Sequence, residues 1–233
     1  MSKALLFGIS GLIGSSLAPL LTKEFDEVVA PVRKPHGNND ENIQTPLVNF
    51  EKMASEHRAL FEGVDTLFYC LGSTRARAGS FADFQRIEWQ LANAVLGTAR
   101  ECGVPKVVML SARGAEEMSL FGYMRVKGHL ERYAKELGFK RLAIARPSLL
   151  MGERSESRFF EGLSIAVAKP LLKPLQRFIP KSAPIRDDEL ARALAKAAQK
   201  MKSSLWILEN DELIRLGTQS QGLLMDAAKA LLK

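Results

Sequence analysis

A glycine-rich run near the amino terminus constrains the fold more than any other feature of the chain. Gly8-Ile9-Ser10-Gly11-Leu12-Ile13-Gly14 follows an apolar stretch and directly precedes a helical pattern. Gly8 permits a tight turn, Gly11 lets a pyrophosphate approach the backbone, and Gly14 lets the helix pack closely on the strand. A glycine turn that binds no ligand is the alternative interpretation. The predicted dinucleotide contacts here are Gly8, Ser10, Gly11, Leu12, Ile13 and Gly14.

Short apolar runs alternate with longer helical patterns along the chain, which is typical of a parallel sheet covered by helices. The predicted strands are Ala4–Ile9, Glu27–Val32, Pro46–Val48, Thr66–Cys70, Lys106–Leu110, Arg141–Ala145 and Leu205–Leu208. The predicted helices are Leu12–Leu21, Ala54–Leu60, Phe84–Cys102, Tyr123–Leu137 and Asp187–Lys200, and His36–Thr45 is predicted to be a surface loop. We therefore expect an α/β fold with a Rossmann-like doubly wound parallel sheet, formed by one domain over residues 1–233.

The segment 153–184 is the least regular part of the chain, because four prolines interrupt a stretch that is otherwise apolar and basic. It leaves the sixth predicted strand at the edge where α/β proteins bind ligands. We expect a small C-terminal substrate-side lobe or lid, in which Arg154 and Arg158 bind a polar or anionic substrate group or a cofactor phosphate. The alternative is that its apolar residues belong to the core and both arginines face water.

Composition excludes several classes of protein. The net charge of +7 suits a polyanion partner, but the basic residues are scattered and lack interleaved aromatic residues, so no specific nucleic-acid partner is expected. No apolar stretch reaches the roughly 18 residues of a membrane-spanning helix, and the start lacks a signal peptide's apolar segment. Cys70, Cys102 and the three histidines show no metal-ligand spacing, so no metal is expected. These features predict a cytoplasmic protein.

The end of the second predicted strand indicates which dinucleotide is bound. An NAD site usually has an acidic residue there to bind the ribose hydroxyls, whereas this chain has Arg33 and Lys34. A guanidinium can bind the 2′-phosphate of NADP (NADPH), so NADP is predicted over NAD. Two solvated surface charges are the alternative interpretation.

Tyr123 and Lys127 are four residues apart, which puts a phenol and an ammonium on one face of a predicted helix. A nearby cation favours the charged form of a phenol, which then serves as an acid or base near neutrality. Ser111 ends the fifth predicted strand and would hydrogen-bond the substrate oxygen. Ser111, Tyr123 and Lys127 are the predicted catalytic residues, although a Tyr and a Lys at this interval also occur by chance.

With these motifs the chain resembles the atypical short-chain dehydrogenases/reductases, and within them the Tat-interactive-protein family of NADPH-binding oxidoreductases. The shared features are the glycine run, the Cys70–Arg75 loop, the Leu110–Ser111 and Tyr123–Gly128 blocks, and Arg146-Pro147 with Arg154–Arg158. The likeness covers roughly residues 3 to 200. It implies a Rossmann fold with bound NADPH.

The resemblance also implies several site residues. The cofactor contacts it adds are Asn49, Phe50, Cys70, Leu71, Gly72, Arg146 and Pro147. Tyr123 and Lys127 are also predicted cofactor contacts, with Lys127 at the nicotinamide ribose. The substrate-side residues are Thr74, Arg75, Arg154 and Arg158. Asn93 lies on the helix where many dehydrogenases use an Asn to order water, but its register does not fit and it is left out of the catalytic set.

The expected function is an NADP-dependent oxidoreductase of the short-chain dehydrogenase type, which transfers a hydride to or from a small carbonyl or alcohol. A non-catalytic NADPH-binding sensor or protein-interaction module is the alternative, because cofactor binding does not prove turnover. A nucleotide-sugar epimerase-like activity comes third. The expected partner is a small-molecule substrate, and a homodimer or a protein partner stays open.

Overall fold

The computed structural model describes residues 1–37, 40–72, 78–151, 174 and 176–218. Its strands are β1 (Lys3–Phe7), β2 (Glu27–Val29), β3 (Ile43–Gln44), β4 (Thr66–Tyr69), β5 (Lys106–Leu110), β6 (Arg141–Arg146), β7 (Leu150–Met151), β8 (Ile185–Arg186) and β9 (Leu205–Glu209). The helices are α1 (Leu12–Leu21), α2 (Met53–Glu56), α3 (Phe81–Ala92), α4 (Thr98–Glu101), α5 (Gly122–Glu136) and α6 (Asp187–Lys200), and residues 210–218 are also helical.

Seven of these strands form one parallel sheet in the order β3-β2-β1-β4-β5-β6-β9, which confirms the predicted Rossmann-like fold. Both faces of the sheet are covered, so its central strands are apolar on both sides. In β1, Ala4 and Leu6 join the core cluster of α1 and α6, whereas Leu5 and Phe7 join the core cluster of α3 and α5. The alternation of side chains along each strand therefore separates two apolar layers.

The third strand is displaced from its predicted position. The sequence pattern put it at Pro46–Val48, but the regular pairing with β2 is made at Ile43–Gln44, inside the predicted loop. Ile43 is buried, and Pro46 has no N–H to donate to a ladder. Pairing resumes only as a bridge between Val32 and Leu47. The loop prediction is therefore too long at its carboxyl end.

Two helical segments also differ from their predicted bounds. The predicted helix Ala54–Leu60 is the short helix α2 followed by a 3-10 turn, and the break falls at His57, whose ring nitrogen Nε2 accepts a hydrogen bond from the Asn49 amide at 3.1 Å. The helix predicted from Phe84 begins at Phe81, because the Ser80 hydroxyl accepts a bond from the Asp83 amide at 3.0 Å. A π turn joins α3 to α4.

The small parallel pair β7–β8 stands at the two ends of the predicted substrate-side lobe. Residues 153–173 and 175 of that lobe lie outside the described residues. At its carboxyl end, Gln176 donates hydrogen bonds to the Pro184 carbonyl at 3.1 Å and to the Glu189 carboxylate at 2.9 Å. The first bond lies within the segment, and the second ties its end to the first turn of α6.

We expect the substitution Gly14→Ala to destabilise the fold by about 1–3 kcal/mol, because an alanine Cβ would overlap the backbone carbonyl of Gly8. Urea unfolding monitored by circular dichroism measures this loss. Gly37→Ala is the matched control, since its Cβ would meet none of the described residues within 4 Å, and it should change stability by less than about 0.5 kcal/mol. Equal stability of the two variants would contradict this account of helix packing.

Candidate cofactor and catalytic site

The sheet topology places a crevice at the carboxyl ends of β1 and β4. These strands are neighbours, yet the chain leaves β1 toward β2 and β3 before it returns to β4 on the other side. Open parallel sheets bind ligands at this kind of reversal. The glycine run follows β1, Cys70–Gly72 follows β4, and Ser111 follows β5. The topology thus brings these three sequence-predicted sites to one edge of the sheet.

The glycine run forms a cradle between β1, β4 and α1. Gly8 has φ = 106°, and a Cβ there would lie 2.6 Å from the Cys70 carbonyl oxygen. The Gly11 amide donates to the Gly8 carbonyl at 2.9 Å, and Gly11 is the N-terminal cap residue of α1. In the described part of the chain no side chain caps this helix, and its first turn carries no acidic residue. The backbone N–H groups and the helix dipole therefore suit an anionic pyrophosphate.

The loop after β4 forms the opposite wall of the crevice. Burial raises the pKa of the Cys70 thiol to about 12, so this thiol stays protonated at neutral pH. Leu71 is half-buried and Gly72 is exposed. A Cβ on Gly72 would lie 3.7 Å from Lys127 Nζ, so this loop contacts the predicted catalytic lysine.

The residues predicted for the adenosine half lie near β2 and β3. Arg33 and Lys34 are both exposed just after the Val32 bridge. Asn49 uses its side-chain oxygen to accept the Glu51 amide at 3.0 Å, and the Phe50 ring packs against the Phe7 ring with centroids 5.8 Å apart.

A cleft of about 590 Å³ opens between α1 and residues 36 and 40–43, and Arg33, Lys34, Asn49 and Phe50 are not among the residues that line it. Ile9, Ser15, His36 and Asp40 are among the residues that line it.

Tyr123 and Lys127 lie one turn apart on α5, as their spacing predicts. The Tyr123 side chain is 42% exposed and its ring stacks on Phe84 of α3, with centroids 5.7 Å apart. Lys127 is buried, and its Nζ lies 5.9 Å from the Tyr123 ring centroid and 2.7 Å from the Glu88 carboxylate. The tyrosine thus faces solvent at the crevice while the lysine beneath it is held by an acid of α3.

Ser111 belongs to a second buried network. Its hydroxyl donates to Glu131 Oε1 at 2.7 Å, and Arg146 donates to both oxygens of the same carboxylate, at 2.9 and 2.6 Å. Arg146 also donates to Glu209 at 3.0 Å. The hydrogen bond to Glu131 raises the pKa of Arg146 and outweighs partial burial, which lowers that pKa. The charge of Glu131 and the hydrogen bond and charge of Glu209 raise it further. Because a carboxylate paired with Arg146 only accepts, the single Ser111 hydroxyl proton points to Glu131.

Glu88 and Glu131 were not among the site residues predicted from the sequence, although the position of each in its helix was a signal. Glu131 continues the four-residue spacing of Tyr123 and Lys127, and Glu88 is an acid on the apolar face of α3. Asn93 accepts the Tyr133 hydroxyl at 2.8 Å instead of joining the catalytic set.

Pro147 is buried, and its carbonyl accepts the Arg113 amide at 2.9 Å. The four substrate-side candidates, Thr74, Arg75, Arg154 and Arg158, lie outside the described residues.

A family pattern and several known proteins match this chain over most of its length. The pattern of the NAD dependent epimerase/dehydratase family matches residues 4–204. The mitochondrial protein FMP52 of Eremothecium gossypii is 34% identical over 220 residues, which cover 93% of this chain and 97% of the relative. Protein HTATIP2 of Rattus norvegicus is 32% identical over 182 residues, which cover 78% of this chain and 73% of the relative. The resemblance to the Tat-interactive proteins is therefore confirmed.

Solved structures share the fold at low sequence identity. MoeE5 in complex with UDP-glucose and NAD has a TM-score of 0.66 at 17% identity, with 95% of this chain and 82% of that chain covered. WbmH of Bordetella bronchiseptica in complex with NAD+ has a TM-score of 0.65 at 18% identity, with 90% and 75% covered.

The predicted cytoplasmic location is wrong, because fungal relatives, including those of Eremothecium gossypii and Aspergillus terreus, are named as mitochondrial proteins. Unpaired cysteines suit reducing compartments in general, so they could not separate the two locations. Among the described helices, none has the length and apolar character needed to cross a membrane.

The family pattern over most of the chain, the relatives at 30% identity or more and the glycine cradle at the sheet reversal lead to one assignment. The chain belongs to the NAD dependent epimerase/dehydratase family, with an NAD(P)-binding Rossmann-like fold.

Proposed function

We propose that the chain is an NADP-dependent oxidoreductase that transfers a hydride to or from a small carbonyl or alcohol, with Tyr123 as the acid or base. The observation that carries this proposal is the pairing of an exposed phenol with a buried ammonium 5.9 Å from its ring, beside the loop that follows β4. That loop borders the crevice in which the family binds its dinucleotide. The relatives named as mitochondrial support a mitochondrial location for this activity.

The residues around the crevice suit the parts of NADP. The cradle Gly8–Gly14 and the start of α1 would hold the pyrophosphate, and Arg33 with Lys34 would bind the 2′-phosphate. Asn49 and Phe50 would contact the adenine side. Cys70–Gly72 would run beside the cofactor, and Arg146-Pro147 would support its nicotinamide end. The bound nicotinamide supplies or accepts the hydride, and the protein orients it.

Lys127 would bind the nicotinamide ribose as a cation. Burial by itself lowers the pKa of this ammonium, but the Glu88 carboxylate, with smaller effects from Tyr123 and Glu131, more than offsets burial and raises the pKa. Lys127 is therefore charged at neutral pH. Tyr123, at the exposed end of the same helix face, would give its phenolic proton to the forming alkoxide in a reduction.

Ser111 has a different role in this proposal from the donor that its position first indicated. Its proton is directed to Glu131, which Arg146 holds in place. The lone pairs of the Ser111 oxygen would then accept a hydrogen bond from the substrate hydroxyl or from the Tyr123 phenol. The segment 153–184, with Arg154 and Arg158, and the loop residues Thr74 and Arg75 would contact the substrate.

A non-catalytic sensor is the second candidate, and one surface feature favours it. Met118, Leu120 and Phe121 are 85%, 95% and 75% exposed in the segment that leads to Tyr123. Exposed apolar side chains beside a cofactor crevice suit a protein partner as well as a substrate. Turnover decides between the two candidates.

Arg33→Ala should weaken NADPH binding by about 10–100-fold and leave NADH binding unchanged, because a charge-assisted phosphate contact contributes roughly 1.5–3 kcal/mol. Titration of nicotinamide fluorescence measures both affinities. Lys140→Ala is the matched control. Lys140 is an exposed cation just before β6, at the amino ends of the strands and therefore away from the crevice at their carboxyl ends. If the unmodified protein binds NADPH and NADH equally well, the preference for NADP is refuted.

Tyr123→Phe should lower turnover at least ~100-fold through loss of acid catalysis, with NADPH affinity nearly unchanged. A screen of aldehydes, ketones and quinones with NADPH supplies the substrate for this assay. Tyr133→Phe removes a phenol whose hydroxyl donates to Asn93 at 2.8 Å, away from the proposed catalytic residues, and it should leave turnover within about twofold. Full turnover in Tyr123→Phe would move the chemistry elsewhere and favour the sensor.

A further inference from the structure

The Lys127–Glu88 ion pair is the part of the site that the proposed chemistry does not explain. Glu88 is 0% exposed and Lys127 is 3% exposed, and their charged atoms are 2.7 Å apart. Removing an acid and an ammonium from water is costly, and such a pair often stabilises a fold no better than apolar residues would. Stability alone therefore gives little reason for this pair.

The two residues form one rung of a short ladder between helices α3 and α5. Phe84 and Glu88 are one turn apart on α3, and Tyr123 and Lys127 are one turn apart on α5. The Phe84 and Tyr123 rings stack with an interplanar angle of 24°, and one turn further along both helices Glu88 meets Lys127. The aromatic rung fixes the register of the helices, so the acid is held opposite the lysine.

The ion pair lies against the wall of the cofactor crevice. A Cβ on Gly72 would be 3.7 Å from Lys127 Nζ and 4.0 Å from Glu88 Oε1. Gly72 is exposed in the loop after β4, so in the described part of the chain the pair lies directly beside a residue that borders the crevice. An ammonium has three N–H donors, and Glu88 takes one of them. The other donors can then serve hydroxyl groups of a ligand.

We propose that Glu88 is a positioning residue that holds Lys127 charged and aimed at the nicotinamide ribose of the cofactor. This inference rests on the proposed function, in which Lys127 binds that ribose. Without the carboxylate, a buried ammonium would lose its proton or turn toward water, because an uncompensated buried charge is unfavourable.

The test compares two ligands that differ by the nicotinamide half. NADPH carries the ribose that Lys127 would bind, whereas 2′,5′-ADP carries only the adenosine half with its 2′-phosphate. Glu88→Gln keeps the shape of the side chain and removes its charge. We expect it to weaken NADPH binding at least ~5-fold by fluorescence titration, and to leave 2′,5′-ADP binding within about twofold by calorimetry. A purely structural role for Glu88 would weaken both ligands alike.

Lys127→Met is the matched variant, and it should give the same selective loss. The double variant Glu88→Gln/Lys127→Met should bind NADPH no more weakly than Lys127→Met alone, because Glu88 acts through Lys127. The double variant removes both charges and so leaves no uncompensated charge in the core. It therefore still tests the proposal if Glu88→Gln does not fold. In that case an additional loss in the double variant relative to Lys127→Met would refute the proposal.

Other outcomes would overturn the inference in distinguishable ways. Tighter NADPH binding in Glu88→Gln would show that Glu88 competes with the ribose for Lys127, and unchanged NADPH binding would show that Lys127 needs no such support. Equal losses for NADPH and 2′,5′-ADP would indicate general damage to the fold. If Lys127→Met binds NADPH normally, the ribose assignment of the proposed function fails. If the unmodified chain binds neither ligand, the whole proposed function fails.

Discussion

The close approach of helix α1 to strand β1 is the contact on which the site depends. Gly14 lies so near the Gly8 carbonyl that no side chain fits between them, and a side chain on Gly8 would likewise overlap the Cys70 carbonyl just after β4. Three elements therefore meet at backbone distance around one turn. The start of α1 points at the sheet reversal, and its N–H groups lie where a pyrophosphate can reach them. Larger residues would separate the helix from the sheet and open this cradle.

Helix α5 carries the proposed chemistry from solvent into the core. Tyr123, Lys127 and Glu131 follow each other at one-turn intervals, and their exposure falls from 42% to 3% and then to 1%. Each has a partner on another element: Phe84 and Glu88 on α3, and Ser111 after β5. The exposed phenol can exchange protons with a substrate, while the buried groups are fixed in place. One face of α5 thus carries the group that is proposed to react at its exposed end and the groups that are held in place at its buried end.

Two buried carboxylates organise the polar groups beneath the crevice. Glu88 compensates Lys127, and Glu131 binds both Ser111 and Arg146. In each case the acid is nearly inaccessible to water and its carboxylate is paired with a cationic side chain, as a buried acid requires. The acids therefore decide how the predicted catalytic residues present their hydrogen bonds. The Ser111 proton is directed to Glu131, which in the proposed function leaves its oxygen to act as an acceptor, and Lys127 stays a cation.

The sequence by itself determined the fold class and the order of the elements. Glycine spacing, apolar runs and helical periodicity are local properties, and they placed α1 and α6 at their observed bounds and put Tyr123 and Lys127 on one helix face. The third strand was predicted at the wrong position. Its pairing with β2 depends on which residues of the edge segment can donate a backbone hydrogen bond and which side chains can be buried. Location could not be derived either, since the composition suits any reducing compartment.

Only the tertiary structure decided which residues surround the predicted catalytic side chains. Glu88 lies 39 residues before Lys127, and Glu131 lies 20 residues after Ser111. Contacts at such separations arise from the packing of α3 on α5 and of α5 on the sheet, and no periodic pattern within one element encodes them. A buried acid on an apolar helix face was visible in the sequence, but its partner was not. Burial and charge compensation depend on contacts between distant parts of the chain. The sequence therefore indicated the reactive groups, whereas the fold determined how far each group is buried and which charge or hydrogen bond it is paired with.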